Sequence, residues 1–171
     1  MAIEFNVQSD DGTVTDANAY ITLDQFDQYW ENHGKTYADG TDSKMVAIIR
    51  ATEYVDQRFQ YEGLPLEQDQ PTEFPRSGAT DCRGDDATGI PVLVDKATAE
   101  YAGRYLDNSS LQSDVTDMDA LAGRTIMEKV GPIEARYAAG IAQTSFPFYP
   151  TADQILKSSC LVISANIVWR S

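Results

Sequence analysis

Apolar and large side chains recur along this chain at helical spacing in three places. Leu23, Phe26, Trp30 and His33 fall on one face of a helix. Thr22 and Gln25 stand at capping-box spacing, where each side chain satisfies a free backbone N–H. Gly34 supplies a stop. A second helix is predicted from Asp42 or Ser43 to about Phe59, with Met45, Ile48, Ile49, Thr52, Val55 and Phe59 on its stripe. Ala47, Ala51 and Tyr54 widen that stripe enough to cover two faces. A third helix opens with Pro91, whose missing N–H suits a first turn. Val94, Ala97, Thr98, Tyr101, Ala102, Tyr105 and Leu106 continue it, and Asn108-Ser109-Ser110 ends it.

Elsewhere the pattern changes. Between Gly63 and Gly89 the chain is rich in Pro, Gly, Asp and Gln, and contains Phe74-Pro75-Arg76 and the acidic run Asp81 to Asp86. A loop of that length in a small domain is commonly functional. From Arg124 to Tyr137, alternation on both sides of Gly131-Pro132 predicts two short strands. Phe146 to Pro150 is a proline-punctuated linker, and Thr151 is placed to cap a short last helix running through Leu156. The expected fold is mainly α. It is a bundle of three to four helices with a long irregular loop, a small β-hairpin and extended terminal arms. Residues 1–18 form the N-terminal arm, 19–160 the helical domain with the hairpin around 124–137, and 161–171 the C-terminal arm.

The chain has 171 residues, enough for one domain with a real core. Charge changes the picture more than length does. Thirteen Lys and Arg stand against 27 Asp and Glu, giving a net charge of −14. The basic residues are scattered singly, whereas a stand-alone nucleic-acid binder usually carries a basic patch. The longest apolar runs fall far short of the ~20 residues that cross a bilayer, so no membrane partner is expected. With no basic leader before an apolar core, a cytoplasmic setting is expected. In that setting Cys82 and Cys160 are expected as free thiols.

Candidate chemistry is sparse. His33, the one histidine, reads as a helix C-terminal residue, with no Ser, Cys or Asp neighbour forming a triad. Cys82 lies beside Arg83 but lacks a base partner. Asp10, Asp11 and Asp16, or Asp81, Asp85 and Asp86, offer oxygens to a hard cation, yet neither set follows the EF-hand pattern. Phosphate-binding glycine motifs are absent. No catalytic, cofactor or metal residue is assigned, and the chain is not expected to be an enzyme.

Several spaced segments carry a resemblance. They are Asn18-Ala19-Tyr20-Ile21-Thr22 leading to Tyr29 and Trp30, then Ile49 to Asp56, Phe74-Pro75-Arg76, Gly89-Ile90-Pro91, and Lys129 to Ile133. In that order, over roughly residues 16 to 137, they resemble a family of tailed-bacteriophage head–tail connector proteins, also called adaptor or head-completion proteins. Members of that family are often labelled DnaT-like single-stranded DNA-binding proteins. The resemblance implies a virion protein, assembled in the host cytoplasm as a ring, dodecameric by analogy, beneath the portal. Such a ring extends the DNA channel, lets DNA pass without specific binding, and offers a platform to the tail or its stopper.

The same label supports an alternative, a single-stranded DNA binder of phage replication. Leu161, Val162, Ile163, Ile167, Val168 and Trp169, apolar at the chain end, are expected as portal-docking residues, the other reading being a strand or helix folded back on the subunit's own core. Phe74, Pro75 and Arg76 are expected either as a pinned loop or as an inter-subunit contact.

Overall fold

The computed structural model describes residues 3–111, 127–130, 133–136 and 149–163. The chain divides into two units, one formed by Met1–Leu111 with Tyr149–Ser171 and the other by Gln112–Phe148. Among the described residues, the first unit holds helices α1 (Leu23–Asn32), α2 (Thr41–Arg58), α3 (Val92–Asn108) and α4 (Pro150–Lys157). It also holds the short antiparallel pair β1 (Leu64–Pro65) and β2 (Arg76–Ser77). In the second unit, β3 (Met127–Val130) and β4 (Ile133–Arg136) form the hairpin that the Gly131-Pro132 alternation predicts, with Val130 opposite Ile133.

Helix termini follow local chemistry. At α1 the Thr22 hydroxyl accepts from the Gln25 N–H, and the Gln25 side chain accepts from the Thr22 N–H. The helix closes at Gly34, whose φ of +72° suits glycine, while the Lys35 N–H reaches back to the Trp30 carbonyl. α2 begins at Thr41, slightly before the expected Asp42 or Ser43, behind the extended Gly40. Pro91 stands just outside α3 as its cap residue, and its carbonyl accepts from Val94 N–H at 2.8 Å. Thr151 is not the cap of α4. Pro150 takes the first helical position and the Tyr149 carbonyl accepts from Asp153 N–H. The preset φ of proline decides the start there, ahead of a threonine hydroxyl.

α3 packs along α2, with α1 and α4 also laid against it. Ala47, Ile48, Ala51, Thr52, Tyr54 and Val55 of α2 are buried, as are Val94, Ala97, Thr98, Tyr101 and Ala102 of α3. Most of each predicted stripe is therefore core, while Met45, Ile49 and Phe59 of the first and Tyr105 and Leu106 of the second are half-buried. Tyr54, Tyr101 and Tyr149 meet edge to face, with ring centroids 4.9–6.0 Å apart. Phe26, Trp30 and Tyr37 form a second aromatic group.

The N-terminal segment folds back onto this body. Val7 bridges Ala19, Gln8 is buried, and the Gln8 side chain donates to the Thr72 hydroxyl at 3.1 Å. Asp10 accepts from the Ile90 N–H ahead of α3.

The expectation of free thiols is corrected: Cys82 and Cys160 form a disulfide, with Cα atoms 5.1 Å apart. The compartment argument weighs redox conditions and says nothing of distance. The fold brings the acidic loop alongside the segment after α4, which no local sequence pattern announces.

Candidate functional site: a pinned loop and exposed aliphatic residues

Phe74, Pro75 and Arg76 form a pin inside the subunit. The Phe74 ring is buried against Tyr20 and Tyr61, and a cis peptide joins it to Pro75. The Phe74 N–H donates to the Tyr20 hydroxyl at 3.1 Å, and its carbonyl accepts from Thr72 at 2.8 Å. Arg76 is buried, and its guanidinium donates to the carbonyls of Glu62, Gly63, Tyr61 and Glu73, and to the Glu73 carboxylate. Of the two expected readings of this motif, the structure has the pinned loop. These side chains are engaged within their own chain.

Beneath the pin lies Asp56, which accepts from the Tyr20 hydroxyl. Burial pushes its carboxyl up to about 7, against the opposing pull of that hydrogen bond. A second buried acid, Asp153 of α4, accepts from the Tyr101 hydroxyl at 2.5 Å and pairs with Arg58 at 3.0 Å. Burial, then this hydrogen bond, pushes the Tyr101 phenol far above its ordinary range.

The chain end divides. Leu161 is in the core, 2% exposed, so this expected docking residue serves its own fold instead. Its carbonyl accepts from Glu62 N–H at 2.8 Å, Val162 pairs with Tyr61, and Ile163 N–H donates to Gln60 at 2.8 Å. Val162 is half-buried, whereas Ile163 is 49% exposed. Ile167, Val168 and Trp169 lie outside the described residues.

Residues 60–62, which carry this pairing, run directly into β1, where Leu64 is 73% exposed, and on to Leu66, 42% exposed. Leu64 and Leu66 are thus exposed on the β1 stretch, and Ile163 is exposed at the other end of the pairing, opposite Gln60. The sequence reading missed the two leucines. The available signal was Leu64-Pro65-Leu66 standing alone in a polar loop.

A separate groove of about 460 Å³ runs between α1 and α3, lined by Ile21, Gln28, Tyr29, Val92, Asp95 and Ala99 among others. Burial, and secondarily the charge of Asp10, pushes the Asp95 carboxyl up to about 7.

Three of the remaining candidates, His33, Asp11 and Asp81, have structural partners. The His33 Nδ1 lies 2.7 Å from the Tyr29 carbonyl oxygen at the end of α1. Asp11 accepts from Ser9 and Thr13, and Asp81 from the N–H groups of Arg83 and Asp85, so both organise turns. These hydrogen bonds hold both carboxyls below the ordinary range. Among the described residues, no group of three His, Cys, Asp or Glu is arranged to hold a metal ion. Among the described residues, six basic side chains sit in ion pairs: Lys35–Asp107, Lys44–Asp27, Arg50–Glu53, Arg58–Asp153, Arg76–Glu73 and Arg104–Glu100.

The described residues thus belong to a mainly helical protein tied by one disulfide, with a small antiparallel hairpin. The chain belongs to the family described as "Putative DnaT-like ssDNA binding protein", whose model matches residues 5–168. Neither the curated proteins nor the solved structures contain a match.

Proposed function

We propose that this chain is a non-enzymatic connector subunit of a tailed phage. On this reading copies form a ring, dodecameric by analogy, between the portal and the tail or stopper protein. The observation that carries it is the exposure of the large aliphatic side chains Leu64, Leu66 and Ile163. Aliphatic side chains held outward at the two ends of a backbone pairing suit contact with a neighbouring protein. Charge supports the same reading. A net −14, with six basic residues already facing acids, favours a channel wall that DNA slides past.

The second reading is single-stranded DNA binding, and the description of the family speaks for it more directly than for a connector. Single-strand binders stack bases on exposed rings along a positive groove. Here Phe26, Trp30, Tyr37, Tyr54, Tyr61, Phe74 and Tyr101 are in the core, which weighs against that mode.

One pair of measurements separates the readings. The connector reading expects co-sedimentation with portal-bearing heads, and no salt-sensitive sub-micromolar binding to a labelled oligonucleotide. Tight, salt-dependent oligonucleotide binding without head association would establish the second reading and overturn the first.

A further inference from the structure

The disulfide lies in an unusual place for a core staple. Both cysteines are exposed, although residues on either side of Cys160, Ser159 and Leu161, are buried. The loop that carries Cys82 closes largely upon itself. Thr80 bridges Asp86, Asp81 N–H donates to Asp85, Gly84 N–H donates to Asp81, and Ala87 N–H donates to Ala79. Across the bond, Cys160 follows α4 and immediately precedes Leu161 to Ile163, which pair with residues 60–62. The covalent link therefore ties a self-contained acidic loop to the segment that presents Ile163.

We propose that the Cys82–Cys160 bond is an exchangeable redox site, a latch that fixes the segment after α4 when oxidised and releases it when reduced. Small thiols are its substrate class. A thiolate attacks one exposed sulfur, the protein S–S bond breaks, and the other cysteine leaves as a thiolate that takes up a proton. A second small thiol then resolves the mixed disulfide. The sum is protein disulfide plus two thiols giving two protein thiols plus one small-molecule disulfide, so the two electrons come from the thiols. Closure is the reverse, with a dissolved disulfide as oxidant.

A reducing cytoplasm opens the latch and an oxidising exterior closes it. The bulk of the core survives opening, because α1, α2 and α3 are held by their own packing and not by this bond. The proposal stands apart from the connector reading.

The test uses the full chain in glutathione buffers of graded ratio. Cysteine alkylation read by mass spectrometry reports the bond, and hydrogen exchange reports the segments. Oxidised protein is expected to protect both cysteines from alkylation. On reduction, peptides covering residues 79–87 and 158–163 are expected to exchange about tenfold faster, with α2 and α3 unchanged. C82S and C160S are expected to show the fast exchange in either buffer. Three results would overturn the proposal: both thiols remaining free in oxidised glutathione, identical exchange in the two redox states, or loss of protection throughout α2 and α3 on reduction. The last would make the bond a structural staple.

Discussion

Gly103 on α3 leaves the space that the Trp30 ring of α1 fills. A Cβ built on Gly103 would stand 2.3 Å from Trp30 Cζ2 and 2.6 Å from the Tyr37 hydroxyl. The Trp30 Nε1–H also donates to the Ala99 carbonyl at 3.1 Å, which fixes the ring against α3. Gly103→Ala, ordinarily favourable inside a helix, is therefore expected to destabilise by about 1–3 kcal/mol through overpacking. Urea denaturation checks it, and a stabilised variant would contradict the close approach.

Asp153 is expected to be the least replaceable charge in the core. Its carboxylate is 1% exposed and faces both Tyr101 and Arg58. Asp153→Ala is expected to destabilise by about 3–5 kcal/mol, because it removes one side of a largely buried pair. Tyr101→Phe, which removes only the hydroxyl, is expected to lose about 1–3 kcal/mol. If the two variants melt alike, the ion pair contributes less than the hydroxyl contact.

Stability is expected to fall as pH rises from about 4 to about 7. Folded Asp56 keeps its proton up to about 7 because burial opposes the charge. An unfolded aspartate releases its proton near 3.9. Between those values the folded state binds more protons, so this contribution is full below about 4 and lost as pH passes about 7. Asp95, raised for the same main reason, acts in the same sense. Comparing urea midpoints at pH of about 4.5 and 7.5, Asp56→Asn is expected to flatten the slope by a few kcal/mol. An unchanged slope would place the pH dependence elsewhere.

Truncation distinguishes the two halves of the chain end. A chain stopped after Ile163 keeps Leu161 in the core and is expected to hold the wild-type melt. A chain stopped after Cys160 loses that side chain and the pairing with residues 60–62, and is expected to destabilise by about 2–5 kcal/mol. On the connector reading, the first truncation still folds, and its co-sedimentation with portal-bearing heads tests whether Ile167 to Trp169 add to docking.

What was legible in the sequence is what local chemistry decides. Thr22 and Gln25 mark the start of α1, and most of the α2 and α3 stripes are buried where periodicity places them. Gly131-Pro132 separates the two hairpin strands. What was not legible depends on distance through space. Cys82 and Cys160 are 78 residues apart in sequence, and nothing in either neighbourhood reveals the other. Gln8 meets Thr72 across 64 residues, a contact of the extended N-terminal arm that no local pattern announces. Leu161 looks like the start of an exposed tail until its backbone pairing with residues 60–62 is known. Phe74 was readable as buried in a pinned loop or as part of a binding element, and only its contacts with Tyr20 and Tyr61, distant in sequence, decide between the two.

Because the first unit is built from two separated stretches, Met1–Leu111 and Tyr149–Ser171, its assembly has an order in time during synthesis. Tyr101 is made long before Asp153 and Tyr149, its partners across the core. From the emergence of Leu111 until Leu161 follows, a ribosome adding about 5–20 residues per second needs roughly 2–10 s. During that interval the face of α3 that α4 will cover is open, with Tyr101 on it. A nascent chain in this state is a target for holding chaperones, and slowing translation between those points prolongs its exposure.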